Sequence, residues 1–294
     1  MDEIDLFILK KLLENSRSTY RELAEITNMS VSAIHKRIKN LIDEGNINAF
    51  IARPSMIALK HLEVLGFGTS DAKSMDAVST ELGKHENIHT IAIAGGKFLY
   101  INCYIRDITE LQDLSSFISK TAQISDLTVG IINIPYFTSP EPLTSIDYKI
   151  LKTLNRDSRK PIIDIADDVG LTAKTVRKRL DRMIENNLAT FTIEWSPTSE
   201  NNFITFYHLY LKEGTDINTQ IEYLYQKYSQ NIVFCISYSN IPNFLTMHSW
   251  AKSLSESQKI QERLQTEGFK DIIPRVVFHG NHYDCWIDQF LRLK

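Results

Sequence analysis

The sequence predicts an α+β protein in which one architecture is used twice: two helix-turn-helix units of winged-helix-like kind, each followed by a ferredoxin-like β-α-β-β-α-β sandwich. Three observations carry this prediction. The 294-residue chain overlies itself when slid so that Ile4 falls on Ile146. In that register Asp5, Ile8, Leu9, Lys10, Leu12, Ser16, Arg17 and Ala24 meet their own kind at Asp147, Ile150, Leu151, Lys152, Leu154, Ser158, Arg159 and Ala166, and farther on Lys36, Arg37 and Ile42 meet Lys178, Arg179 and Ile184. Identity that holds one register over such a length marks an internal repeat. Within each copy the apolar residues first recur at helical spacing and then alternate, so a helical unit gives way to a sheet.

The elements follow in order. In copy one the helical blocks are Ile4, Ile8, Leu9, Leu12 and Leu13, then Leu23, Ala24 and Ile26, then Ile34, Ile38, Leu41 and Ile42, which predicts three helices. Ser30 and Thr172 stand where an N-cap should open the third helix, because their side-chain oxygens can take its free N–H groups. Pro161 suits the first turn of the second helix in copy two. The turns "TNMS" and "VGLT" have the length that joins the two helices of a helix-turn-helix. Strands are then predicted over 62–69, 88–94, 98–104 and 127–134, with helices over 72–83 and 107–121; the second half repeats this with strands near 203–211, 231–238, 243–250 and 272–279 and helices near 216–228 and 253–267. The domains are accordingly 1–52 and 143–194 for the helical units, 60–137 and 200–280 for the sandwiches, and 281–294 for a C-terminal tail. "PYFTSPEPLTS", residues 135–145, holds three prolines and reads as the linker between halves.

Composition narrows the function classes. At 43% hydrophobic and 23% charged residues the chain is of globular type, and a formal net charge of −3 means that any attraction to phosphate must be local. Cys103, Cys235 and Cys285 lie far apart and form no Cys-x-x-Cys pair, which points to a reducing compartment. The start "MDEIDLFILKK" is acidic, unlike a signal peptide, and no apolar run has the length of a membrane span. A cytoplasmic location is expected.

The stretch "IDLFILKKLLENSRSTYRELAEITNMSVSAIHKRIKNLIDEGNI" resembles the Lrp/AsnC family of transcriptional regulators, with its "R-x-x-x-x-x-L-A", its Ser-x-x-x-[IV]-x-x-R-[IV]-x-x-L and its closing Gly-x-Ile. The resemblance covers nearly the whole chain, twice; copy two departs where Asn186 and Asn187 stand near the family's glycine. It implies double-stranded DNA as partner, a small-molecule effector, pairing of sandwich domains and assembly into homo-oligomers. Because the two halves can pair within one chain, a covalent pseudo-dimer with two recognition helices is expected.

On the third helix of copy one, burying Ile34, Ile38 and Leu41 leaves Ser32, Ala33, Lys36 and Lys39 outward with His35 and Arg37 at the flanks. Copy two presents Lys174, Thr175, Lys178 and Arg182, flanked by Arg177 and Arg179. Such a helix fits the major groove, short side chains near its start approaching base edges while Lys and Arg meet phosphates or guanine. Residues 1–50 hold seven Lys/Arg and eight Asp/Glu, whereas 146–193 hold ten and seven, so the second unit should grip phosphate more strongly.

Other signals compete. "HENIH", residues 85–89, matches His-Glu-x-x-His, but Ile88, His89 and Thr90 begin an alternating strand, and the zinc motif needs a helix. His279, His282 and Cys285, with His208 and His248 on neighbouring strands, could hold a metal or haem, or pack as ordinary core and strand-end residues; the second is the reading adopted, with no metal and no cofactor. Gly95 and Gly96 in "AIAGGKFLY" resemble the family turn that lines the effector pocket, although the aspartate usual after that glycine is missing; a plain hairpin turn is the alternative. No phosphate loop or Gly-x-Ser-x-Gly turn occurs, and no enzymatic activity is expected. The sirohaem decarboxylases share the Lrp-like architecture, so a tetrapyrrole- or metal-binding protein on the same scaffold is the alternative to a DNA-binding regulator.

Overall fold

The computed structural model describes residues 1–133, 142–196 and 203–294, so most of the linker read over 135–145 lies outside the described residues. The chain opens with α1 (Glu3–Glu14), α2 (Tyr20–Thr27) and α3 (Val31–Asp43), continues through β1 (Ile47–Pro54) and the single turn α4 (Met56–Leu59), and enters the first sandwich: β2 (Leu62–Thr69), α5 (Met75–Leu82), β3 (Ile88–Ala94), β4 (Phe98–Ile105), α6 (Leu111–Ala122) and β5 (Thr128–Ile131). The second copy follows as α7 (Ser145–Leu154), α8 (Ile162–Val169), α9 (Ala173–Glu185) and β6 (Ala189–Trp195), then β7 (Phe203–Tyr210), α10 (Ile217–Lys227), β8 (Ile232–Ser237), β9 (Phe244–Ala251), α11 (Leu254–Gln265), β10 (Asp271–His282) and α12 (Trp286–Leu293). Both repeats therefore show the helical unit followed by β-α-β-β-α-β. No helix among the described residues is long and apolar enough to cross a membrane.

These elements form two compact units. In the helical unit, Ile34, Ile38 and Leu41 of α3 and Val176, Leu180 and Met183 of α9 are buried, as the 3.6-residue period requires. Ile26 and Ile42, counted in the sequence stripes, are instead exposed. Helices α2 and α8 stop where Asn28 and Gly170 adopt left-handed backbone, which turns the chain into the next helix. Pro161 sits at the N-cap of α8, one step before the first turn expected for it. Asn187 takes a φ of 51° where Gly45 takes 74°, so asparagine, the side chain best tolerated in that region, replaces the glycine that copy two lacks. The wing strands cross between copies: β1 pairs antiparallel with β6, from Ile47 opposite Trp195 to Pro54 opposite Ala189. Most of the segment read as a tail is α12, whose Trp286, Ile287 and Leu291 are buried, Leu291 in the core of the second helical unit beside Leu151 and Phe191.

The other unit contains both sandwiches. Each repeat orders its strands four-one-three-two, and β3 of the first pairs with β10 of the second, giving one eight-stranded sheet β5-β2-β4-β3-β10-β7-β9-β8. The outer strands also meet: Ile132 bridges Tyr238, and the Asn133 N–H donates to the Ser237 carbonyl at 2.9 Å. One face of the sheet carries α5 and α6 over Val64, Ile91, Leu99 and Ile101, and α10 and α11 over Tyr207, Leu209, Leu245 and Met247. The opposite face brings together Phe67, Phe98, Tyr100, Phe206, His208 and Phe244, with ring centroids 4.9–6.3 Å apart.

Candidate nucleic-acid interface

Helices α3 and α9 are opened by side-chain caps: Ser30 Oγ accepts from the Ala33 N–H, and Thr172 Oγ1 from the Thr175 N–H, both at 3.2 Å. Beyond the caps, Ser32, His35, Lys36 and Lys39 on α3 are exposed, as are Lys174, Arg177 and Lys178 on α9; Ala33, Arg37, Thr175, Arg179 and Arg182 are half-buried. The exposed cations are not equally available. Lys39 pairs with Asp43 one turn on, whereas among the described residues no carboxylate pairs with Lys36, Lys174, Arg177 or Lys178.

Arg182 and Arg179 correct the sequence reading. Asp147 is fully buried and completes a capping box at the start of α7, its Oδ2 accepting from the Thr144 N–H at 2.7 Å. Arg182 reaches that carboxylate at 2.7 Å and Arg179 at 3.5 Å. Both arginines therefore fasten α9 to α7, since a buried carboxylate is tolerated only with paired charge and hydrogen bonds. Arg182 is thus not presented outward as the helical wheel suggests, and Arg179, read as a flank, turns to the same carboxylate.

The two helical units are joined about a local pseudo-twofold. Ser16 and Ser158, matched in the repeat, share a hydrogen bond of 2.5 Å between their hydroxyls and are both fully buried. Arg159 donates to the carbonyls of Ser16 (2.8 Å) and Ser18 (2.9 Å), and reciprocally Arg17 donates to those of Ser158 and Lys160. The Ser16 N–H donates to the Phe191 carbonyl of β6 at 3.0 Å, and the Ser158 N–H to the Phe50 carbonyl of β1 at 2.9 Å. These residues were visible in the sequence only as markers of register. Their signal was that polar identity survives beside the helical stripe, where solvated positions have no reason to match.

A second set of buried charges fixes α12. Asp288, with no exposed surface, accepts from Arg53 Nε and Nη2 at 2.8 Å each, from Asn155 Nδ2 at 2.9 Å and from the Cys285 N–H at 3.0 Å. Burial alone would raise its pKa, but the Arg53 charge and these hydrogen bonds hold it well below the usual carboxylate range.

The other candidate residues go to local partners. Residues 85–87 form a turn and Ile88 starts β3; His85 packs tilted against Phe117 at 4.6 Å between centroids, and His89 stacks on Tyr104 at 4.0 Å. His279 lies 3.3 Å from Asp76, His282 Nδ1 is 3.1 Å from Thr90 Oγ1, and Cys285 caps α12. His248 is buried between Phe206 and Phe234, and burial drives its pKa far down. Among the described residues no three His, Cys, Asp or Glu side chains are grouped as a metal ion needs. Gly95 and Gly96 form the turn between β3 and β4, Gly96 at a φ of 70°. A cavity of about 440 Å³ opens in the sandwich unit, and neither glycine lines it.

Comparison with known proteins agrees with this geometry. A family profile described as winged helix-turn-helix DNA-binding matches residues 1–47, and one for the AsnC-type helix-turn-helix domain matches 143–184. The chain is similar to an uncharacterised HTH-type transcriptional regulator of Pyrococcus furiosus, 29% identical over 142 residues that cover 47% of this chain and 96% of that protein. It is also similar to the HTH-type transcriptional regulator LrpA of Mycobacterium tuberculosis, 26% identical over 139 residues, 46% of this chain and 93% of that one. The crystal structure of the siroheme decarboxylase NirDL superposes over 99% of this chain and 97% of its own at a TM-score of 0.62; with 13% identity the likeness is one of fold. Both regulators match over about half of this chain and nearly all of their own length, and each helical unit matches a profile on its own, so the chain carries the helix-turn-helix twice, the second of AsnC type, and is similar to Lrp/AsnC-type regulators.

Proposed function

We propose that this protein is a sequence-specific DNA-binding transcriptional regulator that works as a covalent pseudo-dimer and is not an enzyme. The observation that carries the reading is the reciprocal Ser16–Ser158 and Arg17–Arg159 junction, which joins two capped helices with exposed cations within one compact unit. A pair of helices fixed in this way can enter successive major-groove segments on one face of DNA, about 10 bp or a multiple apart. Lys36, Lys174, Arg177 and Lys178 supply phosphate contacts, while Ser32, Ala33 and Thr175 near the helix starts approach base edges. A small-molecule effector and assembly of several chains belong to the same proposal. Fluorescence anisotropy with labelled genomic fragments tests it: tight, salt-sensitive binding that survives excess unrelated DNA supports the reading, and binding equal for all sequences refutes it.

A second reading, tetrapyrrole binding, is favoured by the full-length fold likeness to NirDL. An absorption titration with iron uroporphyrin separates the two readings, since a bound macrocycle shifts the spectrum and DNA does not.

A further inference from the structure

The two sandwiches are counterparts strand for strand, yet their sheet edges are finished differently. In the first repeat Leu65 of β2 pairs with Gly130 of β5; in the second, Phe206 of β7 pairs with Arg275 of β10. Two residues on, Ile132 bridges Tyr238, as Val277 pairs with Ala94. Gly130 therefore corresponds to Arg275, and Tyr238 to Ala94. At the first seam the Tyr238 ring lies where a Cβ on residue 130 would be, and its hydroxyl is 3.0 Å from Thr246 Oγ1, so a buried aromatic plug closes the gap. At the second seam the plug is an alanine and the glycine an arginine. That arginine lines a cavity of about 440 Å³, a volume in the range of small-molecule sites, together with Phe67, Phe98, Thr128, His208 and Tyr210.

Its chemistry is specific. Phe67 and Phe98 form aromatic walls, and the Arg275 guanidinium lies 4.2 Å from the Phe98 ring centroid. The Arg275 Nε is buried and without a hydrogen-bond partner, and no carboxylate among the described residues pairs with this cation. His208, which also lines the cavity, shares a 2.7 Å hydrogen bond with Tyr100, and burial with the nearby Arg275 charge pushes its pKa down to about 4, so it brings no second positive charge at neutral pH. Asp71 and Asp126 stand exposed at the rim and oppose a ligand of high negative charge. The aromatic face steadies the guanidinium but supplies no acceptor, so its N–H groups are left to meet an anionic ligand by charge-assisted hydrogen bonds.

We propose that this cavity binds a small planar aromatic monocarboxylate, its carboxylate on Arg275 and its ring against the aromatic wall that Phe67 contributes, one molecule per chain. The site does not depend on DNA binding, and the test uses the full chain without DNA. Calorimetry and thermal melting are run with indole-3-acetate and benzoate, with neutral indole as control. At least one carboxylate raises Tm and saturates below about 10 mM, and indole binds at least roughly tenfold more weakly than indole-3-acetate, the loss expected for a charge-assisted hydrogen-bond pair. Arg275→Gln weakens the carboxylate by about tenfold or more. A94Y/R275G, which installs the plug of the first seam, abolishes binding. Absence of binding by both carboxylates, indole binding as well as indole-3-acetate, or unchanged affinity in Arg275→Gln overturns the proposal; the comparison of probes on the unmodified chain decides even if a variant fails to fold.

Discussion

The two proposed recognition helices should not contribute equally to DNA affinity, and the number of exposed cations without a carboxylate partner on each sets the expected ratio. On α9, Lys174, Arg177 and Lys178 are exposed and pair with no carboxylate among the described residues, so K174A/R177A/K178A removes three candidate phosphate contacts. On α3 only Lys36 is comparable, because Lys39 shares its charge with Asp43. Each phosphate neutralised contributes about −0.9 to the slope of log K against log salt. Losing three contacts flattens the slope by about 2.7, and losing one by about 0.9. Over a fourfold rise in salt, from 50 to 200 mM, these correspond to factors of roughly 40 and roughly 3.5 in the salt sensitivity of K.

The assay is anisotropy at four or more salt concentrations on one operator, with K36A/K39A as the α3 variant. Arg179 and Arg182 are left out by design, since they hold Asp147 and their removal confounds contact with folding. Slope changes that are the same for the two variants would refute the reasoning, because they would mean that carboxylate pairing on the helix face does not govern which cations reach phosphate.

The remaining expectations concern the framework. Arg182→Ala should cost about 3 kcal/mol of stability in urea unfolding by stranding the buried Asp147; a loss of DNA affinity with unchanged stability would restore Arg182 as a contact. Ser16→Ala leaves the buried Ser158 hydroxyl without its partner and should cost about 1–3 kcal/mol, whereas S16A/S158A should cost less than the two single changes together; a double-mutant cycle with no coupling would exclude the pairing. Asp288 titrates lower in the folded chain than unfolded, so its stabilising contribution is full above its unfolded pKa of about 4 and is lost as the pH falls below that toward the folded value. Asp288→Asn should therefore be less stable at neutral pH and show a shallower acid loss, and parallel acid profiles would contradict the assignment.

The sandwiches were legible as short runs rich in apolar, β-branched and aromatic residues bounded by turns, Leu62–Thr69, Ile88–Ala94 and Phe98–Ile105, which are buried on both faces of the sheet. Strands β1 and β6 were not. Each has its partner about 140 residues away in the other repeat, so nothing local in "INAFIARP" or "ATFTIEW" states the pairing. Helix α12 carried a faint signal in "WIDQFLRL", but its anchor is the Asp288–Arg53 pair, which joins the last helix to the first wing strand. At the candidate interface the helical wheel placed Ile34, Ile38 and Leu41 correctly and failed at Arg182. A wheel gives the angle of a side chain on its own helix; whether a long cation then bends toward a buried carboxylate on a neighbouring helix is a tertiary fact. The cavity left no motif because its lining is gathered from β2, β4, β7 and β10, elements far apart in sequence.

The difference between the two seams bears on why the repeat is fused. In a homodimer every substitution appears twice, so a plug at one seam and a cation at the other cannot be encoded. Covalent duplication frees the copies. Tyr238 can close its seam against Gly130, while at the matched positions Ala94 and Arg275 stand instead, and Arg275 lines a cavity. The same freedom shows in the helices, where Ser32, Ala33 and Lys36 face Lys174, Thr175 and Lys178 at matched positions. Two readers with different outward residues prefer different half-sites, so the smallest site occupied by one chain should be non-palindromic. Selection from random DNA, read with footprinting, measures this directly. A perfect inverted repeat bound by a single chain would show that both helices read the same bases, and that the copies diverged in the sandwiches without diverging in recognition.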